Sequence, residues 1–171
     1  SPEDEAFREE VRAFVRKEWD PRDYNTDLNV FSYDFDNPEY RAHAEAFQKK
    51  LVEKGYWTMS WPKEFGGGGA SLTKQVVYAD ELAYAGAPAG SPGANITGAI
   101  MYHADDSIKT EFLGKMAKNE IDWAQGFSEP NAGTDLASLS TRAVEDGDDY
   151  VVTGQKIWSS GSHYANWYHV L

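Results

Sequence analysis

The chain has 171 residues, 41% of them apolar and 14% aromatic, with a formal net charge of −12. This composition supports a packed core and excludes a disordered chain, and the charge argues against nucleic acid or an anionic membrane as the main partner. With no cysteine there is no disulfide, thiolate metal site or thiol nucleophile, which fits a cytoplasmic protein. No stretch reads as a signal peptide or as an apolar run of membrane length, so no membrane partner is expected.

The chain opens with Ser1-Pro2 and Asp4, a helix start with Pro in the first turn, after which Phe7, Val11, Phe14 and Val15 recur at helical spacing. Trp19 to Asp36 reads as an irregular aromatic segment. A second helix is expected after Asn37-Pro38, with Tyr40, Ala44, Phe47 and Leu51 on one face and Gly55 as its stop. Ser71 caps a third, with Leu72, Val76, Ala79 and Ala83 expected on its buried stripe. Pro92 starts a fourth through Ile96, Ile100 and His103. Asp105 caps a fifth, with Ile108, Phe112 and Met116 expected inward.

From Ile121 the pattern changes to short apolar runs between turn residues. Ala143–Glu145 and Tyr150–Thr153 flank Asp146-Gly147-Asp148-Asp149, which predicts a hairpin. The reading is an α+β chain: an all-helical N-terminal domain over 1–119, then the first part of an antiparallel β domain over 120–171. Trp167 to Leu171 reads as the interior of a strand, so the chain is expected to be the front part of something longer or to be completed by another chain.

Several motifs invite chemistry. Gly66 to Gly69 lacks the Lys-Ser/Thr of a phosphate loop and follows no strand, so it reads as a turn between helices. His43, His103, His163 and His169 have no metal-ligand spacing, and Ser162-His163 lacks a nucleophile elbow, so no metal site and no serine hydrolase is expected. Glu129 and Asp135 bracket a turn, where carboxylates commonly bind backbone N–H groups rather than form a catalytic pair. More telling is "FSEPNAGTDL" over 127–136, a polar turn whose Gly133 and Thr134 offer close backbone approach and a hydroxyl to an anion. A second string, "GQKIWSSGSHYANW" over 154–167, sets the flat ring of Trp158 beside Ser159 and Ser160. Joined by a hairpin, the two favour a nucleotide cofactor with a flat ring and a pyrophosphate.

The stretch "SEPNAGTDLASLSTRAVEDGDDYVVTGQKIWSSGSHYANW" resembles the acyl-CoA dehydrogenase signature, and "WPKEFGGGGAS" (61–71) and "DDSIKTEFLGKMAKNEI" (105–121) are similar to that family's early turn and to the helix before its β domain. The resemblance implies FAD. It sets Gln125, Phe127 and Ser128 along the flavin ring, Gly133 and Thr134 at the pyrophosphate, and Trp158, Ser159 and Ser160 at the flavin, with the Ser160 hydroxyl near N5. It also places Thr134 at the border of the substrate. Gln125 and Phe127 depart from the residues common there, and Ala104, Gly114 and Asn119 depart at loop and cap positions.

The same resemblance implies α,β-dehydrogenation of an acyl-CoA in lipid metabolism, as in fatty acid β-oxidation. Electrons pass to an electron-transfer flavoprotein, and the protein is a dimer or tetramer of like or unlike chains. The family's base glutamate lies in a C-terminal helical domain, expected beyond Leu171, so no catalytic residue is assigned here. Glu129 is read as structural and the chain alone as inactive. Two other readings share this front end: an acyl-CoA oxidase or flavin monooxygenase, and a non-catalytic subunit of a heteromeric enzyme. The small residues from Ala85 to Gly98 are read as room for a bulky acyl group.

Overall fold

The structure, a computed structural model, describes residues 1–19, 37–88 and 94–171, without the side chains of Ala94 and Asn95. It forms two compact units: Ser1–Pro92 with Thr97–Glu120, and Gly93–Ile96 with Ile121–Leu171. Among the described residues no helix is long and apolar enough to cross a membrane.

In the helical unit, α1 (Pro2–Glu18) begins with a capping box. The Ser1 hydroxyl accepts from the Asp4 N–H, and the Asp4 carboxylate answers at the Ser1 nitrogen. Its first turn is acidic and its last is basic, matching the helix dipole. Helix α2 (Pro38–Lys54) is capped by the Asn37 side chain, which accepts from the N–H groups of Glu39 and Tyr40, and it ends at Gly55 with φ 79°. It buries Tyr40, Ala44, Phe47 and Leu51, the face read from the periodicity. These side chains join Val11, Val15, Trp19 and Leu82 in one core. Trp19 and Tyr40 meet edge to face at 6.2 Å, and Phe14 and Tyr56 do so at 5.3 Å. The buried Trp57 indole donates to the Met116 carbonyl at 3.0 Å. The remainder of the Trp19–Asp36 segment lies outside the described residues.

The glycine run is a turn, as expected. Gly67 N–H bonds the Pro62 carbonyl, Gly68 N–H that of Thr58, and Gly69 N–H that of Trp61. A Cβ on Gly67 would collide with the Trp61 backbone, so the close approach requires glycine there.

Three helices follow: α3 (Leu72–Tyr84), α4 (Ala94–His103) and α5 (Asp106–Ala117). In α3 the stripe expected to be buried faces solvent instead, with Leu72 74% and Val76 59% exposed. The buried face is Val77, Glu81 and Leu82. Apolar spacing missed it because an acid lies at its centre. Arg12 Nε and Nη2 donate to the two Glu81 carboxylate oxygens at 2.9 Å each, and Arg8 Nη1 adds a bond at 2.7 Å. Paired in this way, the charge of Glu81 can be buried against α1. In α4, Thr97, Ile100 and Met101 are buried while His103 is exposed. Pro92, the expected start, lies outside the described residues. In α5, Phe112, Leu113 and Met116 point inward, but Ile108 is 39% exposed, because the buried face begins a turn later than expected.

In the second unit, β1 (Trp123–Gly126) pairs in parallel with β4 (Trp167–Val170), with Ala124 opposite Tyr168 and Gly126 opposite Val170. The hairpin of β2 (Arg142–Asp146) and β3 (Asp149–Thr153) is antiparallel and turns at Gly147-Asp148, as the sequence predicts. The parallel pair needs a long connection, and the whole hairpin lies within it.

Candidate functional site

Strand β1 leads straight into the first string. Glu129 N–H bonds the Ala132 carbonyl at 2.7 Å and Ala132 N–H returns a bond to the Glu129 carbonyl at 3.1 Å, closing Pro130-Asn131 into a tight turn. The Glu129 carboxylate faces inward at 6% exposure. Its Oε2 accepts from Ser140 N–H at 2.8 Å and the Ser140 hydroxyl at 2.7 Å, and its Oε1 accepts from Thr141 N–H at 2.8 Å and Lys156 Nζ at 2.9 Å. The bonds from Thr141 and Ser140, reinforced by Lys156, hold this carboxyl well below the usual carboxylate range. A carboxylate so fully occupied is a buried anchor, and it lacks the raised pKa of a general acid or base. Asp135, by contrast, is exposed.

Lys156 also donates to the Phe127 carbonyl at 3.1 Å, and Ile157 N–H donates to the Ser128 carbonyl at 2.9 Å. The two sequence strings are therefore laced together at Phe127–Glu129 and Lys156–Ile157. The next residue, Trp158, has φ 59° and is 86% exposed, an uncommon backbone for a bulky side chain and an uncommon exposure for an indole. Ser160 N–H bonds the Trp158 carbonyl at 3.0 Å, and the Ser159 hydroxyl bonds the Tyr168 hydroxyl. Lys156 to Ser159, with Ser162 and Ala165 to Tyr168, line an open cavity of about 560 Å³.

Gln125 lies in β1 on the face that carries Trp123, Trp167 and His169, and Phe127 follows it. The Phe127 ring meets His169 edge-on at 5.4 Å. Burial pushes the His169 imidazole below its ordinary pKa, and its Nδ1 has no partner among the described residues. Gly133 and Thr134, just past the turn, are exposed, and nothing lies within 4 Å of where a Gly133 Cβ would stand. No hydrogen bond among the described residues joins Gly133 or Thr134 to Trp158–Ser160. The structure thus brings Phe127 and Ser128 to the second string and leaves Gly133 and Thr134 on a separate, solvent-facing limb.

This arrangement fits a dinucleotide with a flat ring. It offers an exposed indole beside small hydroxyls, and a turn whose backbone is unblocked at Gly133. Ser140, Thr141, Lys156 and Tyr168 were not singled out from sequence, and His169 was noted only as a histidine without metal-ligand spacing. Only Lys156, two residues before Trp158 in a string already noted, carried a readable signal. Among the described residues no group of His, Asp or Glu is placed to hold a metal ion.

The family model described as acyl-CoA dehydrogenase, N-terminal domain, matches residues 1–120, and the one described as acyl-CoA dehydrogenase, middle domain, matches residues 124–171. Acyl-CoA dehydrogenase FadE26 of Mycobacterium tuberculosis is 44% identical over 119 residues, which is 69% of this chain and 30% of that protein. The ChsE4-ChsE5 complex from Mycobacterium tuberculosis matches with TM-score 0.81 at 34% identity, over 99% of this chain and 42% of that one. The Tcur3481-Tcur3483 steroid ACAD matches with TM-score 0.79 at 30% identity, over 99% and 43%. The chain spans less than half the length of each of these relatives.

Proposed function

The chain belongs to the acyl-CoA dehydrogenase family, and on that premise we propose that it supplies part of the flavin site of an enzyme that desaturates an acyl-CoA between Cα and Cβ. Acyl-CoA dehydrogenases are FAD-dependent as a family. The observation that carries the reading is the lacing of Phe127–Glu129 to Lys156–Ile157 beside an exposed Trp158.

In this reading Gln125, Phe127 and Ser128 lie along the flavin ring, Trp158 packs on it, and the Ser160 hydroxyl bonds its edge. Gly133 and Thr134 hold the pyrophosphate, and Thr134 borders the substrate. Bound FAD supplies a hydride acceptor for the substrate β carbon. Glu129 is excluded as the base that takes the α proton, since its lone pairs are occupied and its proton affinity is depressed. As the family resemblance implies, the reading takes the base from outside these 171 residues and holds that the chain alone does not turn over. An electron-transfer flavoprotein is the proposed acceptor of the electrons.

For the substrate we propose a bulky, steroid-like acyl thioester rather than a straight fatty acyl chain. The likeness to a steroid ACAD supports this. The ChsE4-ChsE5 likeness, to a complex of two named proteins, favours a heteromeric assembly. It also supports a second reading, a subunit whose β domain completes a partner's site without catalysis of its own.

The test is a visible absorption spectrum of the purified full-length protein, with its natural partner if one copurifies, before and after anaerobic addition of steroid and straight-chain acyl-CoAs. Bound flavin bleached first by the steroid thioester is the expected result. Bleaching by straight-chain substrates alone overturns the substrate class, and rapid reoxidation by oxygen points to an oxidase. A colourless protein that takes up no FAD overturns the flavin reading in favour of the subunit.

A further inference from the structure

We infer that Tyr168 is a positioning residue for the flavin loop, anchoring Trp158 through Ser159. The inference rests on the flavin reading above. Trp158 sits at φ 59°, a conformation that a bulky residue keeps only when its surroundings impose it. On its N-terminal side the restraint is clear: Ile157 N–H is bonded to the Ser128 carbonyl, and Lys156 is tied to Glu129 and to the Phe127 carbonyl. On its C-terminal side the backbone offers nothing comparable among the described residues. From Trp158 to Ala165 the backbone bonds stay inside the loop, Ser160 to Trp158, Ser162 to Ser159, and Tyr164 and Ala165 to Gly161. The chain regains the sheet only where Asn166 and Trp167 bond the Asp122 carbonyl. The Ser159–Tyr168 hydroxyl bond spans that gap, joining the loop to β4 one residue after the strained position.

The sheet is built to admit this bond. Parallel pairing puts Tyr168 on the same face as Ala124 and Gly126, opposite the face of Gln125 and His169. A Cβ on Gly126 would stand 2.5 Å from the Tyr168 hydroxyl and 2.8 Å from Cζ, so the phenol takes its seat across Gly126 because that position has no side chain. Ser159, read from sequence as a flavin contact, is thereby committed to Tyr168, while Trp158 and Ser160 on either side of it make no side-chain hydrogen bond among the described residues and remain available to a ligand.

The experiment uses the full-length protein with Tyr168→Phe, Ser159→Ala, the double variant and Gly126→Ala. Two quantities are read: the FAD dissociation constant of stripped protein by flavin fluorescence, and amide hydrogen exchange over 157–162 without FAD. Each single variant is expected to weaken FAD binding about fivefold, from the usual worth of one hydrogen bond, with the double no weaker than either single. Loop exchange is expected to speed up while exchange in the helical unit stays unchanged. Gly126→Ala should behave as Tyr168→Phe does. If the parent binds FAD and Tyr168→Phe binds it equally well, the inference falls while the flavin reading stands. If the parent binds no FAD, the flavin reading falls, and the positioning role for that ligand falls with it. Unchanged loop exchange in Tyr168→Phe overturns the anchor in either case.

Discussion

The two units bury different kinds of group. The helical unit packs an apolar, aromatic core, and the one deeply buried carboxylate among its described residues, Glu81, is matched by two arginines that remain partly exposed. Among the described residues of the second unit the buried apolar ones are Ile121, Ala124 and Ala132, and every position of the β2–β3 hairpin is exposed. What organises its loops is a polar centre, Glu129, held by Ser140, Thr141 and a Lys156 that is itself 7% exposed. The difference teaches that order around the candidate site is a matter of hydrogen bonds and one buried ion pair. Order in the helical unit is a matter of packing.

Substitutions of each kind should therefore separate the units. Phe47→Ala empties the centre of the helical core and should cost about 3–5 kcal/mol, seen as a loss of roughly 10 °C or more in melting temperature. Folded protein at low temperature should still bind FAD with unchanged affinity, and a parallel loss of FAD would break the division between the units. Glu129→Ala is the counterpart. It strands Lys156 and leaves the Ser140 and Thr141 N–H groups without their acceptor. Its melting temperature should fall by several degrees, with FAD binding lost at least tenfold, and Glu129→Gln should show a smaller version of both.

A milder effect is expected from acid. The folded-state pKa of Glu129 is depressed, so its stabilising contribution is complete above its unfolded value near 4.3 and is lost as pH falls through the folded value. His169 has the same sign. Its folded pKa also lies below its unfolded value, near 6.5, so protonation on acidification works against the fold. Corrected for the pH dependence of the unprotected amide, hydrogen exchange around His169 should therefore accelerate between pH 6 and pH 4, and exchange around 127–129 and 156–157 below about pH 4.3, each before exchange in α2 does. Simultaneous acceleration in α2 would mean that the chain opens as one cooperative body.

How much of this was legible from sequence follows the same division. In α2 the apolar period alone gave Tyr40, Ala44, Phe47 and Leu51, because packing decides that face and packing is written in the spacing of apolar residues. In α3 the same reading chose Leu72 and Val76, since a glutamate does not look buried until its arginines, some 70 residues away, are brought against it. The hairpin was readable from its local turn chemistry, but the parallel pairing of β1 with β4 joins segments about 40 residues apart and leaves no local mark. At the candidate site, the residues proposed to hold the flavin came from motif strings. The groups that set their geometry, Ser140, Thr141 and Tyr168, are ordinary residues in ordinary sequence, and only the fold brings them into place.

The smallest effect expected is also the one that compares the two carboxylates most directly. Arg8 and Arg12 are 26% and 33% exposed where they meet Glu81, so solvent ions reach that cluster from its cationic side. Lys156 and Glu129 are 7% and 5% exposed, and ions do not. Raising the salt from 0.1 M to 1 M shortens the Debye length from about 10 Å to about 3 Å, which weakens a partly exposed pair and leaves a buried one nearly untouched. At neutral pH the destabilisation caused by Glu81→Gln should therefore shrink as salt is added, whereas that caused by Glu129→Gln should not. Each is read as the difference in urea midpoint from the parent at the same salt. Equal salt sensitivity would show that the Glu129 pair is reached by solvent, and the claim that a dry ion pair orders the flavin loops would have to be given up.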